Sequence, residues 1–154
     1  MTLKSLLFAI SVVALILLFF SQIIKRVDKI FGFGDFQSSI TIIVGIILIA
    51  TGGILRFWSA LLFYRHKIKV ISVHSQKKLI TAGTYRCSRN PLYLGIIFIF
   101  FGAAILFGSI SGLILSFLVF IGWDLWVRFR EEKQLEEQFK EDYLRYKKVT
   151  QRWL

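Results

Sequence analysis

Residues 79–95 read LITAGTYRCSRNPLYLG, a basic, glycine-bearing loop that passes through an Asn-Pro step into an apolar run. Asn90 is a good helix N-cap, and Pro91 suits the first helical position, where no N–H is needed and φ is already helical. A helix therefore starts at Pro91. The apolar run sets its length, because residues 90–123 contain no charged side chain at all. At about 1.5 Å per residue that stretch makes a tight helical hairpin, turning near residues 107–112, whose arms must take in their flanks to cross a hydrocarbon layer of about 30 Å. A re-entrant hairpin is the competing geometry. Both return the chain to the side it left.

Working outward, the apolar character persists. Of 154 residues 56% are hydrophobic and 19% charged, with 16 Phe and a mean hydropathy of +0.67. This is an integral membrane composition. The expected fold is all-α, a single polytopic membrane domain over residues 1–154 with about four transmembrane helices, near 6–24, 40–64, 91–107 and 111–128. A loop at 65–90 and an amphipathic C-terminal helix at 129–149 complete it. A cleaved signal peptide is disfavoured because no small-x-small site comes after the first apolar run. Residues 25–37 read as a mixed-charge loop, and Arg56 interrupts the second span, either snorkelling or facing an anionic group.

Twenty Lys and Arg against nine Asp and Glu give a net charge of +11. The cations sit between apolar spans, where they set orientation and attract anionic membrane lipids, so no nucleic-acid partner is expected. Residues 65–89 hold seven Lys and Arg and no acidic residue, which places this loop, and the C-terminal helix with it, on the cytoplasmic side. Lys25, Arg26 and Lys29 are the misfit to that orientation. The alternation at 67–74 suggests an extended or interfacial segment. His66 and His74 have no neighbouring Cys or acidic ligand, so no metal site is expected. Cys87 alone forms no internal disulfide.

Two clusters have the residue types for chemistry. Around the start of the third span stand Tyr85, Arg86, Arg89 and Tyr93, with Gly83 allowing close backbone approach; free N–H groups flanked by arginines suit an anion. The second cluster is Arg128, Arg130, Glu131 and Glu132, one turn ahead of a stripe of Leu135, Phe139, Tyr143 and Tyr146. Adjacent carboxylates there suit a cation such as an ammonium or sulfonium. An ordinary Arg128–Glu132 intrahelical pair is the plain alternative.

The pattern Gly83-x-Tyr85-x-x-x-Arg89-Asn90-Pro91-x-Tyr93-x-Gly95, then Glu131-Glu132-x-x-Leu135-x-x-x-Phe139-x-x-x-Tyr143-x-x-Tyr146, resembles the isoprenylcysteine carboxyl methyltransferase family, itself related to membrane phospholipid N-methyltransferases. The resemblance implies a small helical membrane bundle that binds S-adenosylmethionine between the pre-helix loop and the Glu-Glu helix, on the cytosolic side. By position, Leu79, Ile80, Gly83, Tyr85, Asn90, Pro91, Leu92 and Tyr93 contribute to the cofactor pocket and Glu131 or Glu132 meets its polar end. Arg128, or Arg89, orients the acceptor, and Glu132 joins them in the catalytic set. Two features depart from the family: Asn90 stands where His is common, and the end reads KVTQRWL where an Arg-Val-Pro-type segment is usual.

The resemblance implies methyl transfer to a lipidic or isoprenoid acceptor, with carboxyl O-methylation favoured and amine N-methylation the alternative. A carboxylate acceptor needs no general base, and an amine must lose a proton, for which Glu131 or Glu132 is placed. Two other classes compete, an NADPH-dependent sterol-type membrane reductase and a non-enzymatic lipid-binding protein.

Overall fold

A computed structural model describes residues 3–65 and 79–154, with side chains from residue 15 onward in the first segment. The alternating segment 67–74 and both histidines lie outside the described residues. Every regular element described is helical: α1 (Leu3–Phe31), α2 (Ser39–Arg65), α3 (Pro91–Leu106), α4 (Ile110–Trp126) and α5 (Glu132–Val149). A 3₁₀ turn at Gly83–Arg86 precedes α3, and one wide π turn, Val127–Glu131, joins α4 to α5.

In lipid, backbone groups have to be satisfied within the protein, which is why such a sequence goes helical. α2 and the apolar part of the helical run Ile110–Val149 are each long and apolar enough to cross a membrane, with hydropathies of 2.3 and 1.9. α3 is shorter, 16 residues or about 24 Å. Outward faces carry side chains suited to lipid and not to water: Ile40 is 74% exposed and Phe19 70%, and Phe117, Leu118 and Leu125 are exposed as well. The protein is a helical membrane protein.

One expectation is corrected. Residues 25–31 are not loop: α1 runs through Lys25, Arg26 and Lys29 to Phe31. Lys and Arg are good helix formers, so charge alone did not end the helix. Gly32 does, with φ of +67° and the Phe33 N–H donating to the Asp28 carbonyl at 2.9 Å, the closure of a Schellman motif.

The described chain divides into two compact units, Met1–Ile49 with Phe100–Phe117, and Ala50–Ile99 with Leu118–Leu154. In the first, Phe20, Ile24 and Ala103 form the core, with Leu17, Ile49 and Phe100 against them. α2 and α3 meet at Gly45 and Gly102, where a Cβ on Gly45 would lie 2.7 Å from the Gly102 carbonyl oxygen. Gly108, at φ +62°, makes the turn into α4. Ser109 caps α4 by accepting the Gly112 N–H at 2.9 Å, and Asp28 of α1 accepts the Ser111 N–H at 2.9 Å and the Ser109 hydroxyl. Lys25 lies 5.4 Å from the Phe107 ring centroid, a cation–π contact.

In the second unit the same close approach recurs seven residues along each helix. A Cβ on Gly95 would lie 2.6 Å from the Gly52 carbonyl oxygen and 2.7 Å from Arg56 Cγ. Small residues let membrane helices touch backbone to backbone. The core here is Phe63, Ile80 and Tyr85, with Leu62 and Leu92 packed on it. α5 bends at Lys140, whose φ of 47° and ψ of −119° are not helical.

Candidate active site

The loop before α3 is held from three directions within the second unit. Gly83, at φ +63°, opens the 3₁₀ turn, and a left-handed residue there favours glycine. The turn buries Tyr85, whose ring meets Phe63 edge-on at 5.7 Å. Tyr146 of α5 donates its hydroxyl to the Tyr85 carbonyl at 2.6 Å, and Ser59 of α2 bonds Thr84 side chain to side chain at 3.0 Å. The C-terminal tail supplies the third hold. The Arg89 N–H donates to the Gln151 carbonyl at 2.9 Å. The Ser88 hydroxyl and the Asn90 side-chain amide both donate to the Arg152 carbonyl, at 3.1 and 3.2 Å. Asn90 thus ties its side chain to the tail as well as standing before Pro91.

Successive helical residues point about 100° apart, so an adjacent carboxylate pair cannot share one direction. Glu132 turns to the tail. Arg152 grips it with two bonds, Nε to Oε1 at 2.9 Å and Nη2 to Oε2 at 2.8 Å. Arg89 Nη1 stands 3.1 Å from Oε1, off the N–H axis, and Lys147 Nζ 4.0 Å from Oε2. Glu131 turns the other way, to the cavity. Its Oε2 is buried with no hydrogen-bond partner among the described residues. Burial holds its carboxyl above the usual range, a hydrogen bond with Tyr93 pulls it back, and the Glu132 charge adds to the rise.

The cavity measures about 210 Å³. Loop residues Leu79, Ile80, Tyr85, Arg89 and Asn90 form one side; Leu92, Tyr93 and Ile96 of α3 form another. Arg56 and Phe63 of α2, and Glu131, Leu135, Tyr143 and Tyr146 from the far end of the run, close it. An open groove of about 640 Å³ adjoins it, sharing Leu79 and Tyr146. Burial, helped by the Glu131 charge, pushes the Tyr85 phenol far up, and burial with the Glu132 charge does the same to Tyr143. These phenols stay neutral.

Of the residues singled out from sequence, Leu79, Ile80, Tyr85, Arg89, Asn90, Leu92, Tyr93 and Glu131 line one cavity. Pro91 is buried as the first residue of α3, and Gly83 is exposed at the turn. Glu132 is in the ion-pair cluster behind. Arg128 is exposed and pairs with Asp124 at 3.0 Å rather than with Glu132, because Glu132 faces inward. Arg56 also faces inward, with Nη1 3.5 Å from the Leu92 carbonyl oxygen.

The tail and Asp124 were missed from sequence. Asp124 accepts the Trp153 indole N–H at 2.9 Å and stands 3.6 Å from Arg152, while the Trp153 ring packs on Phe120 at 5.4 Å. The available signal was the Arg-Trp pair in an otherwise polar ending. Among the described residues no group of three His, Cys, Asp or Glu is placed to hold a metal.

A helical membrane protein with a buried, aromatic-lined site holding one unsatisfied carboxylate points to an enzyme that handles a cationic reactant beside lipid. Residues 40–142 match the profile of the phospholipid methyltransferase family. The chain belongs to that family, within the isoprenylcysteine carboxyl methyltransferase-like superfamily. It is a family of membrane methyltransferases that use S-adenosylmethionine. No curated protein matches the chain. Membership favours methyl transfer to a lipid over the reductase and lipid-binding readings, and it is consistent with carboxyl and amine acceptors alike.

Proposed function

We propose that this protein transfers a methyl group from S-adenosylmethionine to a lipid carboxylate, with the cavity beside α3 as the active site, facing the cytoplasm. The carrying observation is Glu131 Oε2, a buried carboxylate oxygen without a partner among the described residues, on the wall of that cavity. An unmet acceptor costs about 1–3 kcal/mol unless a ligand supplies the donor. The residues fit such a cofactor. Glu131 would take its ammonium end, and the aromatic lining of Tyr85, Tyr93 and Tyr143 would suit a sulfonium. At about 210 Å³ the cavity is below the range of about 300–1,000 Å³ usual for a drug-sized ligand. The adjoining groove past Leu79 and Tyr146 takes the remainder.

When bound, S-adenosylmethionine supplies a methyl group already activated by its sulfonium charge. The protein's part is to align the acceptor oxygen behind that methyl and to keep water out. Arg89, buried and on the cavity wall, orients the acceptor. Glu132 is engaged by Arg89 and Arg152, which leaves Glu131 as the one carboxylate among the described residues that lines the cavity. With Glu131 holding the cofactor, no base remains for an acceptor that must lose a proton. A carboxylate needs none.

The family description favours a second reading, transfer to a phospholipid amine, in which Glu131 accepts the ammonium proton. One experiment separates the two. The purified protein is incubated with methyl-labelled S-adenosylmethionine and a total lipid extract. Label in lipid that mild base releases as methanol supports carboxyl methylation; base-stable label supports the amine. No label in lipid, together with no binding of S-adenosylhomocysteine by calorimetry, overturns both.

A further inference from the structure

Besides Glu131 and Arg89, the cavity is lined by a third charge, Arg56, which the proposed methyl transfer does not use. Arg56 lies nine residues inside the C-terminal end of α2, in an otherwise apolar stretch. Its side chain packs against Gly95 and turns to the cavity. Among the described residues its one hydrogen bond is at 3.5 Å, to the Leu92 carbonyl, long for an N–H donor. A guanidinium has five N–H groups and stays charged.

The chain holds no ion-pair partner for that charge among the described residues. It has nine Asp and Glu, all of them described. Glu132 faces Arg89, Arg152 and Lys147, and Asp124 faces Arg128 and Arg152. Glu136 and Glu141 pair with Lys147 and Arg145, Asp28 is bound by Ser109 and Ser111, and Asp35, Glu137 and Asp142 make no ion pair with Arg56. Glu131 lines the same cavity and is not within ion-pair distance of Arg56. A charge inside a membrane protein that faces a cavity and lacks an internal counter-ion marks a ligand path.

We infer that Arg56, the cavity cation with no ion-pair partner among the described residues, is an anion-binding residue distinct from Arg89, taking a carboxylate or phosphate group that one of the two reactants brings in. The planar guanidinium receives either oxyanion through two parallel hydrogen bonds. Two sources share this chemistry: the acidic group of a lipid acceptor, and the carboxylate of the cofactor's amino-acid end. The inference rests on the cavity being the reactant site only for the identity of the carrier. The anion preference itself is measured without turnover.

The test uses the purified protein in neutral detergent, with binding followed by calorimetry. The probes are dodecanoate, dodecyl phosphate, dodecanol and S-adenosylhomocysteine. Wild type is expected to bind an anionic probe about ten- to a hundredfold more tightly than dodecanol, and Arg56→Gln, which keeps the Cγ packed on Gly95, to lose that preference. Lys148→Gln, at an exposed cation outside the cavity, controls for general attraction and should leave it intact. A loss confined to S-adenosylhomocysteine assigns the anion to the cofactor; a loss confined to the lipid probes assigns it to the acceptor. Equal affinities of wild type and Arg56→Gln for all four probes overturn the inference. If Arg56→Gln does not fold, Arg56→Lys carries the test. It keeps the charge but not the bidentate fork, so unchanged anion affinity overturns the inference as well. Absence of methyl transfer would sink the proposed reaction and leave this measurement readable.

Discussion

Replacing Arg152 by Ala removes both bonds that the tail makes to the buried Glu132 carboxylate, at 2.9 and 2.8 Å. Breaking a fully buried ion pair from one side costs about 3–5 kcal/mol. Here the loss is smaller, because Glu132 keeps Arg89 at 3.1 Å and the Arg152 side chain is 23% exposed, so water recovers part of it. A destabilisation of about 2 kcal/mol is expected, in the range for hydrogen bonds to charged groups. For a chain of this size that lowers the unfolding midpoint by roughly 4–8 °C, monitored by circular dichroism in detergent. Glu132→Gln should cost more, about 3 kcal/mol, because it leaves Arg89 and Arg152 facing an amide, Arg89 with only 8% of its side chain exposed. The double variant closes a cycle whose coupling should exceed about 1 kcal/mol for groups in direct contact. An Arg152→Ala midpoint indistinguishable from wild type, or strictly additive costs, would refute the account of the tail as a clamp on Glu132.

The same geometry sets two further outcomes. Glu131→Gln should raise stability at neutral pH while weakening S-adenosylhomocysteine binding. The Glu131 carboxyl is raised by burial, so its contribution is fully present below the unfolded carboxylate range and is lost as pH climbs through the folded value. The advantage of the variant over wild type should therefore vanish in acid; a pH series of unfolding midpoints that runs the other way contradicts the burial. Between α2 and α3, Gly52→Ala should destabilise by about 1–3 kcal/mol, since its Cβ would meet the Gly95 carbonyl oxygen at 2.5 Å. Gly53→Ala, with nothing within 4 Å, should be neutral or slightly stabilising. Equal midpoints for the pair would refute the close crossing.

The parts legible in sequence were those governed by local physics. The Asn-Pro step marks where α3 begins, at Pro91, because capping and a fixed φ act within one turn. Apolar content gave the membrane and the helices. Most of the loop residues singled out line the cavity, since they cluster around one helix start. What was not legible depended on direction and distance. Glu131 and Glu132 are neighbours in sequence and face different partners, and only tertiary packing decides which turns inward. Arg152 reaches Glu132 across 20 residues, and its carbonyl reaches Asn90 across 62, separations at which periodicity has no say. Spacing in the sequence offered Glu132 as the partner of Arg128; Asp124 stands one turn away on the other side, and the inward turn of Glu132 leaves Arg128 to Asp124. The end of α1 was misplaced because cations read as loop, whereas the stop lies in Gly32.

Gly95 touches two things at once: the Gly52 carbonyl on one side and the Arg56 stem on the other. Within this unit the spacing of the helices and the placing of Arg56 in the cavity are therefore one dimension, not two. A methyl group added at this contact would part α2 from α3 and shift the guanidinium against Leu92 by the same movement. Substitutions along the α2–α3 contact in this unit, far from any reacting atom, would then surface in assays as altered affinity for an anion before they surfaced as lost fold. Within this unit, packing tolerance and ligand selectivity are set by the same few tenths of an ångström.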